Sequence, residues 1–313
     1  MSTTLSIPYA PGTVSLGLHP MSQLPAPEIV RVLVQQGRLA EQAGFDGVTV
    51  SEHHVGLSGY LPLPAMASSW ILAETQRIWS GPAPTLLTMR NPGLLAEELA
   101  WTAARYPGRF GAAFAAGYNI EDFKAIGMNN ENLSQRFAAG LEELSAALSP
   151  DGPLKGDQAV EFWNTARPIL LAAANSSAAA TRAANAGMGM LLIGSDDVAG
   201  RSRRVVDAYE EAGGASTVMW IRRAFIGDPP AAAMAELEKA YGAWDKSKKG
   251  GVNDFVTGTS EDVAEQLAAE LAVLGGSSAL NVRVYLPGVS EEETAEQVAR
   301  FGAEVLPLLR AAR

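Results

Sequence analysis

The chain has 313 residues, 47% of them hydrophobic and 19% charged, with a formal net charge of −10 and no cysteine. That balance is globular, and it disfavours a nucleic-acid partner, which needs clustered Lys and Arg. Missing cysteines exclude disulfides, thiolate metal sites and a cysteine nucleophile.

The N-terminus shows no basic segment followed by an apolar one, and no apolar run reaches about 18 residues. A cytoplasmic protein with no signal peptide and no membrane association is therefore expected.

In chain order, a strand is read at 13–19, followed by a helix over 28–43 with Ile29, Val32, Leu33, Gln36, Leu39, Ala40 and Ala43 at helical spacing. Gly44 suits a left-handed C-cap to that helix. The second strand is 47–51 and its helix 63–76. The third strand is read at 83–89, and Pro92 then opens a helix running to about Arg105, where a missing N–H costs nothing. A small-residue strand at 109–117 precedes a helical region at 121–148, interrupted near Gly127–Asn132. Residues 149–167 read as a loop-like insertion. Strand 168–174 and helix 177–187, strand 188–194 and helix 196–212, and strand 216–227 and helix 230–247 follow. A second insertion is read at 246–259, carrying the small basic stretch KSKKGG, which reads as a solvated turn. Helix 260–274, strand 279–286 and helix 290–311 complete the chain.

Eight strands, each followed by a helix, call for parallel strands joined by right-handed crossovers. The reading is an α/β fold, a (β/α)8 TIM barrel with insertions after strand 4 and strand 7, as one domain over 1–313. An open doubly wound sheet is disfavoured, because no Gly-x-Gly-x-x-Gly follows the first strand.

Strand C-termini form the functional rim of such barrels. His19 ends the first strand, and His53 and His54 end the second, so the chain's three histidines fall on one sector of one face. Neighbouring strand residues point to opposite sides, so the adjacent pair cannot both face one spot while the strand continues. That spacing is wrong for a His-x-His metal site, and no fourth histidine exists. A general base suits an isolated imidazole better. Asn175, Ser176 and Ser177 lie between the fifth strand and its helix, where hydroxyls and free N–H groups can meet an anion or simply cap the helix. Arg90 and Asn91 end the third strand, where they can hold a ligand or cap a helix. Most aromatics at these spacings belong to the core. Trp163 and Phe255, which fall in the insertions, are the candidate substrate-pocket aromatics, together with His19 and His54.

The stretch LAEQAGFDGVTVSEHH resembles the second-strand signature of the bacterial luciferase-like flavin-dependent monooxygenases. RNPGLLAEELAWTAARYPGRFGAAFAAGYNIEDFKAIGM, residues 90–128, resembles the third-helix and fourth-strand block of the same family, with its Gly-Tyr-Asn and Asp-Phe. GTSEDVAEQLAAELAVLGGSSALNVRVYLPG resembles its last repeat. The resemblance covers about 14–310.

It implies an α/β barrel that uses reduced FMN, supplied by an NAD(P)H-dependent flavin reductase, and molecular oxygen to oxidise an apolar organic substrate. A sister branch uses the deazaflavin coenzyme F420 to transfer hydride. The Glu-His-His ending favours FMN. A non-catalytic flavin-binding protein is a third reading. Carried over residue by residue, the resemblance makes His53 catalytic near the flavin and gives His54 a structural role, with Glu52 positioning a neighbouring loop. It places the phosphate near Asn175, Ser176 and Ser177, with Gly117 and Tyr118 as backbone contacts. It also implies a cis peptide at Ala83-Pro84 in a bulge under the ring. Ala116 stands where luciferases carry an arginine, so phosphate charge must be met by N–H groups, hydroxyls or another arginine. Family members are commonly dimers, which makes a homodimer the expectation.

Overall fold

The computed structural model describes residues 6–19, 24–54, 60–194, 197–242 (backbone only for 238–242) and 255–312. Its strands are β1 (Val14–Leu18), β2 (Gly47–Val50), β3 (Trp79–Pro82), β4 (Thr85–Leu86), β5 (Ala112–Ala115), β6 (Leu170–Ala173), β7 (Gly189–Ile193), β8 (Val218–Ile226), β9 (Phe255–Gly258) and β10 (Ser278–Arg283). Its helices are α1 (Ala26–Ala43), α2 (Pro64–Ala73), α3 (Pro92–Arg105), α4 (Ile120–Ala125), α5 (Leu133–Ala147), α6 (Gln158–Ala166), α7 (Ser177–Asn185), α8 (Arg203–Glu211), α9 (Ala231–Gly242), α10 (Ser260–Leu274), α11 (Glu291–Arg300) and α12 (Leu306–Ala311).

The sheet runs β3-β2-β1-β10-β8-β7-β6-β5-β4, with β9 added to the end of β8. Every ladder in it is parallel. The two sheet ends, β3 and β4, are halves of one strand broken at Ala83-Pro84, whose peptide bond is cis, as expected. A bridge between Ser80 and Phe110 ties β3 to the start of β5. Eight strand positions thus close into a nearly complete barrel, the topology expected for eight strand-helix repeats.

Side-chain alternation sorts the core into two layers. Trp79, Ala83, Ala113, Leu171, Leu191, Met219, Ile221 and Ala279 fill the barrel interior with Tyr9. Tyr9 packs edge-on against Trp79 at 4.8 Å and donates its hydroxyl to Pro82 O, closing the lower end. The opposite strand faces pack against the helices. In α1 the buried Val32, Leu33, Gln36, Gly37 and Ala40 form one face, and Gly44 ends the helix with φ 85, as a left-handed cap. Thr259 and Ser290 close capping boxes at the starts of α10 and α11.

Two expectations need correction. The third strand begins at Trp79, not residue 83, and Leu87–Met89 is a 3-10 turn rather than strand. WSGP lacks a β-branched run, but Trp79 is packed inside the barrel and pairs in register with Gly47, so tertiary burial overrides propensity. The insertion after strand 4 is not all loop, since α6 occupies 158–166 with Asp157 as its N-cap, accepting from Ala159 N and Val160 N. It joins α5 to the N-terminal end of β6, the face opposite the strand C-termini. The insertion after strand 7 ends in β9, and its residues 246–254 lie outside the described residues.

Candidate active site

At the end of β2 the two histidine rings part. His53, buried, sends Nδ1 to Asp122 Oδ2 at 2.6 Å, while its Nε2 is 3.1 Å from the Tyr118 hydroxyl. His54 turns away, with Nε2 3.0 Å from Glu52 Oε1 and its backbone N–H donating to Asp122 Oδ1. The alternation argument against two histidines on one spot therefore holds.

Asp122 is 1% exposed, at the start of α4, and it also accepts from Asn119 Nδ2. A carboxylate can only accept, so His53 Nδ1 carries the proton and Nε2 turns its lone pair to the Tyr118 hydroxyl. Burial lowers the His53 pKa below its ordinary value, against the raising effect of Asp122. Burial also raises the Tyr118 phenol, which stays protonated and donates toward Nε2. The result is a neutral imidazole base with a fixed tautomer and a phenol beside it.

His19 and His53 flank Tyr60, with ring centroids 4.5 and 4.6 Å away. Burial, Arg283, Arg223 and His53 together drive His19 down to about 3, so it is a neutral wall of the mouth. Glu52 is fully engaged, accepting from Leu86 N at 2.8 Å and from Arg90 Nη2 at 2.7 Å. This fastens the end of β2 to β4, and it is the positioning role expected of Glu52. Ser51 Oγ donates to Ala83 O and Glu52 N to Pro84 O, so the cis bulge hangs directly from the His53 strand. Asn91 caps α3 by accepting from Leu94 N. Arg90 is thus an ion-pair partner and Asn91 a cap.

Gly117, with φ 76, makes the turn that presents the half-exposed Tyr118. Asn175 Oδ1 accepts from Ile193 N, tying the end of β6 to β7. Ser176 Oγ accepts from Ala179 N at 3.3 Å, as the N-cap of α7. Ser176 and Ser177 are exposed at that helix start. The Asn175 and Ser176 side-chain oxygens are therefore already in structural use, and backbone N–H groups are what α7 offers an anion.

Phe255 stands in β9 with the Arg223 guanidinium 6.0 Å from its ring, at the mouth. Trp163 does not reach it. Trp163 is 5% exposed in the hydrophobic core, on α6, which packs against α3 on the N-terminal side of β6. Its place in the insertion makes it a pocket candidate in the sequence, but on α6 its side chain packs into the core.

Sequence reasoning passed over Asp122, Arg223 and Arg283 as site residues. Asp122 had a signal, an acid three residues after Asn119 at a helix start, read only as motif. The arginines had none, since an arginine inside a strand reads as surface.

A parallel barrel with a buried histidine, held by a carboxylate, at its strand C-termini is the setting the comparisons meet. The family model described as luciferase-like monooxygenase matches residues 11–304, and the chain belongs to that family. It is 31% identical over 105 residues to the alkanal monooxygenase alpha chain of Photorhabdus luminescens, 34% of this chain and 29% of that one. It is 30% identical over 140 residues to the F420-dependent glucose-6-phosphate dehydrogenase of Kribbella flavida, 39% of this chain and 40% of that one. These matches span less than half the length of the curated relatives. Among solved structures, the oxygenating constituent of 3,6-diketocamphane monooxygenase from Pseudomonas putida, in complex with FMN, superposes with a TM-score of 0.74 at 16% identity, over 95% of this chain and 98% of that one. The last likeness is one of fold. An F420-dependent protein is thus among the relatives, and an FMN complex among the structures of like fold. No helix among the described residues is long and apolar enough to cross a membrane.

The mouth suits a flat flavin ring. Ala115 and Ala173, at the ends of β5 and β6, are half-buried short side chains facing the opening. Thr85 Oγ1, beside Pro84, and Asn281 Oδ1 are buried without a partner in the fold. A buried polar atom of this kind asks for a partner, a bound ligand or a water among them.

Proposed function

We propose that the chain is the oxygenating component of a two-component, FMN-dependent monooxygenase that oxidises an apolar organic substrate. The observation that carries this reading is His53, held neutral between Asp122 and Tyr118 at the barrel mouth. Reduced FMN would supply the electrons that activate oxygen. The ring would rest against the Ala83-Pro84 bulge, and the phosphate would meet the first-turn N–H groups of α7 near Asn175, Ser176 and Ser177. His53 Nε2 would take a proton from the reacting group through the Tyr118 hydroxyl, which passes its own proton to Nε2 and receives the other, and Asp122 would hold the tautomer. Tyr60, His19 and Phe255 wall the substrate side and exclude water.

An NAD(P)H-dependent flavin reductase is the partner this reading requires, and a homodimer is the assembly it proposes. Deazaflavin-dependent hydride transfer at the same site is the second reading, favoured by the identity to an F420-dependent dehydrogenase and by Ala116, which supplies no charge to an FMN phosphate.

Titrating the purified chain with FMN and with coenzyme F420, each oxidised and reduced, tests the choice. Tight binding of reduced FMN, with substrate-dependent oxygen uptake alongside a reductase, is expected. Binding of F420 alone would replace the first reading with the second. Flavin binding with no turnover on any candidate substrate would leave a flavin-binding protein.

A further inference from the structure

Arg223 and Arg283 are register partners on adjacent parallel strands, β8 and β10. Register partners share a face about 4.8 Å apart, so two guanidinium stems rise side by side. Their neighbours settle which face. Arg222 is held on the helix side by buried Glu270 on α10, with Nη2 to Oε1 at 3.0 Å. Two residues before Arg283, Asn281 reaches across the barrel interior to Ser15 Oγ and Thr49 Oγ1. Both arginines therefore point into the mouth.

Like charges set directly across a strand pair destabilise it, a cost that an anion between the two guanidiniums offsets. The stem of Arg283 lies across Gly17, where a Cβ would come within 3.0 Å of its Cγ and 3.4 Å of its Nε. Its Nη2 donates to a neutral acceptor, Ser51 Oγ, at 3.1 Å. Among the described residues, Glu52 in this mouth bonds Arg90 and His54, and Asp122 bonds His53 and Asn119. The charges of both arginines also act on His19 and on Tyr118, the two ends of the aromatic row His19–Tyr60–His53–Tyr118. Phe255 over Arg223 and Tyr60 beside His53 give that space flat apolar walls.

We propose that Arg223 and Arg283 form an oxyanion-binding subsite in the barrel mouth, which takes a substrate bearing a carboxylate, phenolate or enolate oxygen on an otherwise apolar, ring-sized body. This rests on the reading of the mouth as the substrate site. The guanidinium pair anchors the anionic oxygen by charge-assisted hydrogen bonds, the aromatic walls take the apolar body, and the substrate is oriented toward His53.

Calorimetric titration of the full chain with benzoate and with benzamide, its neutral isostere, tests the subsite directly. Benzoate should bind at least about tenfold more tightly, and Arg283→Gln or Arg223→Gln should remove about ten- to a hundredfold of its affinity, the worth of a hydrogen bond to a charged group. Arg283→Lys, which keeps the charge, should retain part of the preference, and benzamide and FMN binding should not change in any variant. The proposal is overturned by equal affinity for the two probes, by benzoate binding weaker than about 10 mM, or by Arg283→Gln and Arg223→Gln variants that keep the full preference. An Arg283→Gln protein that loses affinity for reduced FMN, but not for benzoate, would assign the anion to the reduced ring and overturn the substrate subsite. A chain that prefers benzoate yet binds neither flavin would reject the FMN reading and leave the subsite standing.

Discussion

His53 Nδ1 lies 2.6 Å from Asp122 Oδ2, a contact between residues 69 apart in sequence. It joins the end of β2 to the start of α4 and makes His53 a base with one defined lone pair. His53→Ala should fold normally and lose about 10²- to 10⁴-fold in turnover, the usual worth of a positioned acid–base group. Asp122→Asn should lose about 10²-fold or more through the wrong tautomer. Because Asp122 raises the His53 pKa, the Asn variant should also move the acid limb of the pH–rate profile downward. A purely structural Asp122 would lower stability without moving that limb.

The pH dependence has a definite sign. His53 and His19 both have folded pKa values below their ordinary value, His19 at about 3. Each binds a proton more readily in the unfolded chain. Their contribution to stability is therefore complete above the unfolded value, about 6.5, and is lost as pH falls toward the folded values. With three histidines in the chain, nitrogen NMR resolves each one. The His19 resonances should stay at their neutral positions from pH 8 down to about pH 5, a window in which an unperturbed histidine titrates. A His19 that titrates near 6.5 would place it in solvent and outside the mouth.

The barrel was legible because strand-helix alternation is a periodic, chain-long signal. Boundaries of β1, α1, α3 and α10 fall within two residues of their sequence reading. Trp79–Pro82 was not legible, because a strand that contains Gly81 and Pro82 is held by its neighbours rather than by propensity. The same holds for α6, whose nine residues sit behind a turn-rich stretch. His53 could be found because histidine is rare here and strand ends are informative. Asp122 needed the fold, because only the closure of β5 onto β4 brings α4 over β2. Arg223 and Arg283 needed it for a related reason, since register and face, not composition, make them neighbours.

At α7 the structure sharpens an ambiguity. Ser176 Oγ already accepts from Ala179 N, so Ser176→Ala removes a helix cap and should cost about 1 kcal/mol of stability. Loosening the first turn disorders the N–H groups offered to phosphate. FMN affinity should fall while riboflavin affinity, which lacks the phosphate, stays at the parent value. Equal weakening of both in parallel fluorescence titrations would move the phosphate elsewhere.

The last expectation concerns assembly. Leu94 and Trp101 are 68% and 54% exposed, seven residues apart on α3 and so on one helix face. Met66, 42% exposed, stands on α2, which packs beside α3. Single exposed apolar residues need no explanation, but a tryptophan and a leucine on one face of α3, with an exposed methionine on the neighbouring helix α2, are surface that association would bury. A second copy meeting it isologously would bury its Trp101 near its own two-fold axis, and a stable dimer needs about 800 Å² per partner, which two helices can supply. The parent chain should run as a dimer by light scattering at micromolar concentration. Trp101→Glu should run as a monomer with unchanged circular dichroism, because the side chain contributes to the surface and not to the core. A parent that is monomeric, or a Trp101→Glu protein that remains dimeric, would remove this face from the interface.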